Sequence, residues 1–155
     1  MARRKIPQDT EYFHYHNQNP KGRVTTDCVV RALSLASGIP YNQVVRDLAE
    51  IQCQTGYDDG DDRVYGSWLE SHGFVRCKQP RKEDNTRYTG KEFCNWLDFY
   101  KRKADGNLVA HIGTHHLVAI IPTREGDGMN DRFKVCDIWN STSGCIGKYW
   151  MKKGD

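Results

Sequence analysis

Three residue types that together perform thiol chemistry lie far apart in this chain. Cys28 stands at the predicted start of a helix, His116 at the predicted start of a strand, and Asp137 at the end of the next predicted strand. A thiol becomes a good nucleophile only when it is held as the thiolate, and a helix N-terminus and a nearby imidazolium both favour that form. The pattern therefore predicts a nucleophilic sulfur that folding brings to a histidine.

The histidine partner has to be chosen among neighbours. His115 and His116 are adjacent, and His111 precedes them on the same stretch of chain. Because adjacent strand residues point to opposite faces of a sheet, only one of His115 and His116 can reach Cys28. His111 is the weaker candidate.

Asp137 is the predicted third member of the site. A carboxylate that accepts a hydrogen bond from the second ring nitrogen of a histidine fixes its tautomer and its orientation. His116 and Asp137 lie on consecutive predicted strands, so they can meet side by side. Asn140 is the alternative orienting residue.

The elements that must position these residues follow from periodicity and capping signals. The first predicted helix begins at Asp27, with Thr25 and Thr26 as competing caps, and ends at Gly38. Thr89 and Glu92 form a capping box before a later helix. The remaining predicted elements are helices over 41–53 and 64–72 and strands over 74–77, 107–112, 116–122, 132–139 and 145–151. Helices come first and an antiparallel sheet follows, which is an α+β layout.

The predicted organisation is an irregular segment over residues 1–24 followed by one domain over residues 25–155. Pro7, Pro20 and Gly22 argue against regular structure in the first segment. The apolar run Leu117 to Ile121 places its strand in the centre of the sheet.

Composition excludes several function classes. The chain carries a net charge of +3 with acids interspersed among its bases, which argues against a dedicated nucleic-acid binder. No apolar run approaches the ~20 residues that span a bilayer, and no apolar stretch follows the basic N-terminus, so neither a membrane anchor nor a signal peptide is predicted. The six cysteines are then expected to be free thiols in the cytoplasm, and no residue pair has zinc-site spacing, so no metal or cofactor is predicted.

The order Cys28, His116, Asp137 resembles that of papain-like cysteine peptidases. In that group an apolar stretch follows the histidine, as Leu117-Val118-Ala119 does here, and this favours His116 over His115. The run Asp137-Ile138-Trp139 resembles the group's Asn-Ser-Trp, in which the tryptophan shields the histidine pair from water. The resemblance implies that role for Trp139. It also implies a papain-like fold in which the N-terminal helices pack on the C-terminal sheet.

The resemblance further implies an oxyanion hole near the nucleophile. The glutamine that papain-like enzymes carry upstream of the cysteine falls on Gly22, so Asn19, Gln18 and Asn17 are the alternative donors. The stretches around Pro20 and Cys28 also resemble small phage and Gram-positive bacterial proteins that are grouped with papain-like or bacteriocin-processing peptidase-like folds. This implies a bacterial cell or a phage-infected host.

The predicted function is a cysteine-dependent hydrolase that attacks a peptide or isopeptide carbonyl in a protein or peptide substrate. A deamidase or acyltransferase would use the same triad. The alternative is a non-catalytic phage or bacterial binding or inhibitor protein that keeps the fold. The sequence does not determine the oligomeric state.

Overall fold

A computed structural model describes residues 5–100, 106–123 and 132–153 of the chain. These residues form an α+β structure with four helices and six strands. In chain order the elements are β1 (Phe13–Tyr15), α1 (Cys28–Ser37), α2 (Tyr41–Thr55), α3 (Asp62–Ser71), β2 (Phe74–Cys77), α4 (Gly90–Tyr100), β3 (Leu108–Ile112), β4 (His116–Thr123), β5 (Arg132–Asp137) and β6 (Ile146–Lys152).

The strands form one mixed sheet in the order β1-β5-β4-β3-β6-β2. The four C-terminal strands lie close to their predicted positions and pair antiparallel, with β3 and β4 at the centre. The prediction of an antiparallel sheet is wrong at one edge, where β1 pairs parallel with β5. At the other edge the predicted strand over 74–77 is present as β2 and pairs antiparallel with β6. Because β1 and β2 precede α4 in the chain, the sheet is not confined to the C-terminal part, contrary to the prediction.

The segment over residues 1–24 was predicted to be irregular, yet it contains β1. Phe13 is fully buried and lies opposite Val135 in the parallel pair. A strand of three residues has no measurable periodicity of its own, and its partner is far away in the sequence, so only the folded sheet defines it. Residues 1–4 of this segment lie outside the described part of the chain.

Helices cover both faces of the sheet. One apolar core joins α1, α2 and α3 to the sheet residues Val109, Leu117, Ala119 and Trp150. A second core, on the opposite face, joins α4 to the neighbouring strand positions, which include Ala110, Val118 and Ile120. The N-terminal helices pack on one face of the sheet, as predicted, and α4 covers the other face.

Two predicted helix ends are confirmed by their hydrogen bonds. Gly38 has a left-handed φ of 78° and its N–H donates to the Ser34 carbonyl, which ends α1. Before α4, the Thr89 N–H donates to Glu92 Oε1 at 3.0 Å, and the Glu92 N–H donates to Thr89 Oγ1 at 3.2 Å. This reciprocal pair is the capping box that the sequence predicted.

Gly90 and Gly66 offer a matched test of the packing. A Cβ on Gly90 would lie 2.8 Å from Ile112 Cδ1 and 3.1 Å from Thr142 Cα, whereas a Cβ on Gly66 would lie 3.5 Å from the Trp150 ring. We expect Gly90→Ala to lower the free energy of unfolding by about 1–3 kcal/mol because the core is overpacked. Gly66→Ala should raise it by roughly 0.5–1 kcal/mol, since alanine favours the interior of α3. Urea denaturation of both variants measures this, and equal midpoints for the two would contradict the packing described.

Candidate active site

Cys28 is the first residue of α1, and α1 packs over the central strand β4. Its side chain is half-buried. Asp27 occupies the N-cap position, but its carboxylate makes no capping hydrogen bond to the first turn. The first amides of a helix have no intrahelical partners, and the helix dipole favours negative charge beside them. The sulfur therefore lies where a thiolate is stabilised.

His116, the first residue of β4, lies between Cys28 and Asp137. Its Nε2 is 2.5 Å from Asp137 Oδ2, and its side chain is 15% exposed. The same imidazole is hydrogen-bonded to Cys28, and because Nε2 is used by Asp137, Nδ1 is the nitrogen left for the sulfur. The structure thus brings together the three residues on which the sequence prediction rests.

The electrostatics of this cluster favour a negatively charged Cys28 sulfur beside a positively charged His116 ring. Burial acts to raise the pKa of Cys28, but hydrogen bonds from His116 and Leu117 and the charge of Arg31 outweigh it and lower this pKa. Burial acts to lower the pKa of His116, but its contacts with Asp137 and Cys28 raise that pKa to about 9. A lowered thiol pKa beside a raised imidazole pKa favours the thiolate–imidazolium pair.

Trp139 and Asn140 follow Asp137 and have different surroundings. The Trp139 ring centroid lies 4.9 Å from that of His116, with 48% of the residue exposed, so the indole covers one side of the imidazole. Asn140 is exposed, and its Oδ1 accepts hydrogen bonds from the N–H and hydroxyl of Thr142. The contact to His116 Nε2 is made by Asp137, while Asn140 closes its own turn.

The three predicted oxyanion donors direct their amide groups to other partners. Asn17 donates to the Arg23 carbonyl at 3.0 Å, and Gln18 donates to Ser34 Oγ at 3.0 Å. Asn19 donates to Asp27 Oδ2 at 3.0 Å. Of these three residues, Gln18 lines a small cavity that Cys28 also lines.

A cleft of about 170 Å³ opens at the Cys28–His116 pair. Its wall includes His111 and His115, the two histidines that the sequence left as alternatives, and Asp59 from the loop between α2 and α3. Burial lowers the pKa of His111, whereas His115 is exposed in the turn that precedes β4. Both therefore line the approach to the sulfur, and His116 makes the contact.

Arg31 belongs to this site and was not predicted. It is 5% exposed, and its guanidinium donates from Nε to Asp27 Oδ1 at 2.7 Å and from Nη1 to Asp137 Oδ1. The sequence carried a signal for it, because Asp27 and Arg31 are spaced i, i+4 and the arginine interrupts an otherwise apolar helix face. A charge among Val29, Val30, Ala32 and Leu33 is buried only if it is paired.

Within the described residues, no group of three histidine, cysteine or acidic side chains could hold a metal ion. No helix of the described chain is long and apolar enough to cross a membrane. All six cysteines are free thiols. No family model matches the chain, and no curated protein or solved structure shows significant similarity to it.

Selective alkylation tests the thiolate at position 28. We expect iodoacetamide near pH 6 to modify Cys28 far faster than Cys53, because an ordinary thiol has a pKa of about 8.5 and the pKa of Cys28 is lowered. Cys53 is exposed and serves as the comparison, while burial raises the pKa of Cys94 and Cys136. Mass spectrometry locates the modified residue. Equal labelling of Cys28 and Cys53 would contradict the geometry of the site.

The two adjacent histidines provide a matched pair of variants. His116→Ala should reduce Cys28 alkylation at pH 6 by roughly tenfold or more, since the hydrogen bond that lowers the thiol pKa is lost. His115→Ala should leave the rate within about twofold, because His115 lies in the exposed turn. Rate constants from pH 5 to 9 measure both, and a larger loss in His115→Ala would contradict the assignment.

Proposed function

We propose that this protein is a papain-like, cysteine-dependent hydrolase that acts on an amide or isopeptide carbonyl of a protein or peptide. The observation that carries the proposal is the arrangement in which Cys28 at a helix N-terminus contacts His116, whose other ring nitrogen contacts Asp137. A nucleophile, a base and an orienting carboxylate in this sequence of contacts are the elements of a thiol hydrolase. The position of the nucleophile on α1 and of its partners on the sheet supports the papain-like part of the proposal.

The proposed reaction has two halves. The Cys28 thiolate attacks the carbonyl carbon, and His116 then donates its proton to the departing amine, so the C–N bond breaks and a thioester remains. A water molecule next gives its proton to His116 and attacks the thioester, which releases the acid and restores the thiolate–imidazolium pair. Asp137 holds Nε2 throughout, so that Nδ1 stays aimed at the sulfur.

Backbone donors support the oxyanion step. Because Asp27 does not cap the first turn, the N–H groups at the start of α1 remain available to a tetrahedral oxygen beside Cys28. The amides of Asn17, Gln18 and Asn19 are directed elsewhere, so a side-chain donor would require one of them to change partner. This engagement favours the second candidate, a binding protein that retains the fold without catalysis.

The six free thiols support a reducing compartment, and the proposed setting is the bacterial or phage-infected cytoplasm. A deamidase or an acyltransferase shares the first half of the reaction and differs in the leaving group or in the acceptor. The cleft is lined by Asp59 together with two histidines. Identification of the reaction products would distinguish a hydrolase from a deamidase and from an acyltransferase.

Turnover of a fluorogenic peptide library, read with mass spectrometry of the products, tests the proposal. We expect the best substrate to show a bell-shaped kcat/KM profile whose basic limb lies near pH 9, since activity is lost as His116 releases its proton above its pKa of about 9. Asp137→Ala should lower kcat by about 100-fold or more, because it removes the orienting carboxylate. Asn140→Ala is the control and should retain nearly full activity.

One result would contradict the hydrolase, and another would contradict the assignment of its orienting residue. If Cys28 is selectively alkylated but no peptide, isopeptide or side-chain amide is turned over, the binding candidate is favoured. If Asn140→Ala is more damaging than Asp137→Ala, the orienting residue is misassigned.

A further inference from the structure

Arg31 is a buried cation one helical turn beyond the nucleophile. It is 5% exposed and connects two carboxylates, because its Nε–H donates to Asp27 Oδ1 and its Nη1–H donates to Asp137 Oδ1. Asp27 is itself held by the Tyr41 hydroxyl at 2.6 Å and by the Asn19 amide at 3.0 Å. These contacts form a continuous polar chain from α2, through α1, to the end of β5.

Asp137 receives Arg31 and His116 on different oxygens. Oδ1 accepts from Arg31 and from the Ile138 N–H at 2.8 Å, and Oδ2 contacts His116 Nε2 at 2.5 Å. The carboxylate is 3% exposed, so water contributes little to its solvation. A buried carboxylate needs such hydrogen-bond and ion-pair partners in place of water.

We propose that Arg31 is a positioning residue of the thiol site, which fixes the Asp137 carboxylate for His116 and balances its charge. This inference rests on the proposed function, since it assigns Arg31 a part in the work of Cys28 and His116. Arginine suits the role because its guanidinium stays protonated in proteins and can donate to two carboxylates at once. Lysine offers only a single ammonium to the same two partners.

The charge of Arg31 has a defined effect on both reacting groups. A fixed cation near a titrating group favours its deprotonated form. Arg31 therefore lowers the pKa of Cys28, as found, and moderates the pull of Asp137 on the His116 proton. A histidine bound to an unbalanced carboxylate would hold its proton too tightly to pass it to a leaving amine.

Other charged and titratable groups surround the pair from each packed element. They come from β1 and its following turn, α1, α2, the α2–α3 loop, α3, the β3–β4 region and β5, and they are His16, Asp27, Tyr41, Asp59, Tyr65, His111, His115 and Cys136. Arg31 differs from all of them because its guanidinium stays protonated, so it is a cation at every pH of the test.

The test compares Arg31→Gln, Arg31→Lys and Arg132→Gln in the full chain. Arg132 lies at the far end of β5 and pairs with exposed Glu11 at 2.8 Å, so the same substitution there is the matched control. Two quantities are measured: the pH dependence of Cys28 alkylation by iodoacetamide, and the pKa of His116 by NMR titration. Neither requires a known substrate.

Arg31→Gln should slow Cys28 alkylation at pH 6 by about tenfold and raise the pKa of His116 by roughly one unit, because both groups lose a neighbouring cation. Arg31→Lys should keep alkylation within about threefold of the original rate. Arg132→Gln should change neither quantity. A general loosening of the fold has a different signature, because it would move the pKa of His116 down toward its ordinary 6.5.

Three outcomes would overturn the inference: unchanged values in Arg31→Gln, a fall in the pKa of His116, or equal effects in Arg31→Gln and Arg132→Gln. If Arg31→Gln does not fold, the double variant Asp27→Asn/Arg31→Gln is used instead, because it removes one buried anion together with the cation. In this variant we again expect slower Cys28 alkylation and a raised pKa of His116, but both changes should be smaller. The absence of those shifts in the folded double variant also overturns it. If Cys28 is not selectively labelled in the protein without substitutions, the proposed function itself is wrong. If Cys28 is selectively labelled but Arg31→Gln has no effect, only the role of Arg31 is wrong.

Discussion

The site depends on one buried carboxylate shared between two cationic groups. Asp137 binds Arg31 through Oδ1 and His116 through Oδ2, and almost none of it is exposed to water. A buried carboxylate is stable only where hydrogen-bond donors replace the water that it has lost, and donors on both oxygens also fix its orientation. The orientation of His116, and through it the state of the Cys28 sulfur, follows from that arrangement.

The fold delivers these partners from three elements that meet at one end of the sheet. His116 begins β4, Asp137 ends β5, and these strands are antiparallel neighbours, so both residues lie at the same end. Helix α1 packs on β4 through an apolar face and presents its N-terminus there. The apolar packing of α1 thus fixes the distance between sulfur and imidazole, and the polar chain through Arg31 fixes their orientation.

The same end of the sheet is accessible to a ligand. The cleft at Cys28 is bounded by the α2–α3 loop on one side and by the turn before β4 on the other, while Trp139 covers a further side of His116. The reactive pair is therefore partly shielded from water but open along one approach. Shielding strengthens the electrostatic contacts, and the opening leaves the sulfur accessible to a ligand.

The sequence by itself determined the elements whose signals are local. The capping box at Thr89, the helix end at Gly38 and the apolar run of β4 each depend on residues within a turn or a strand, and the structure confirms them. Only the tertiary structure decided the parallel edge strand β1 and the pairing of Arg31 with Asp137, because these contacts join residues more than a hundred positions apart. A contact of that separation has no local periodicity to reveal it, and its energy is gained only when the sheet forms.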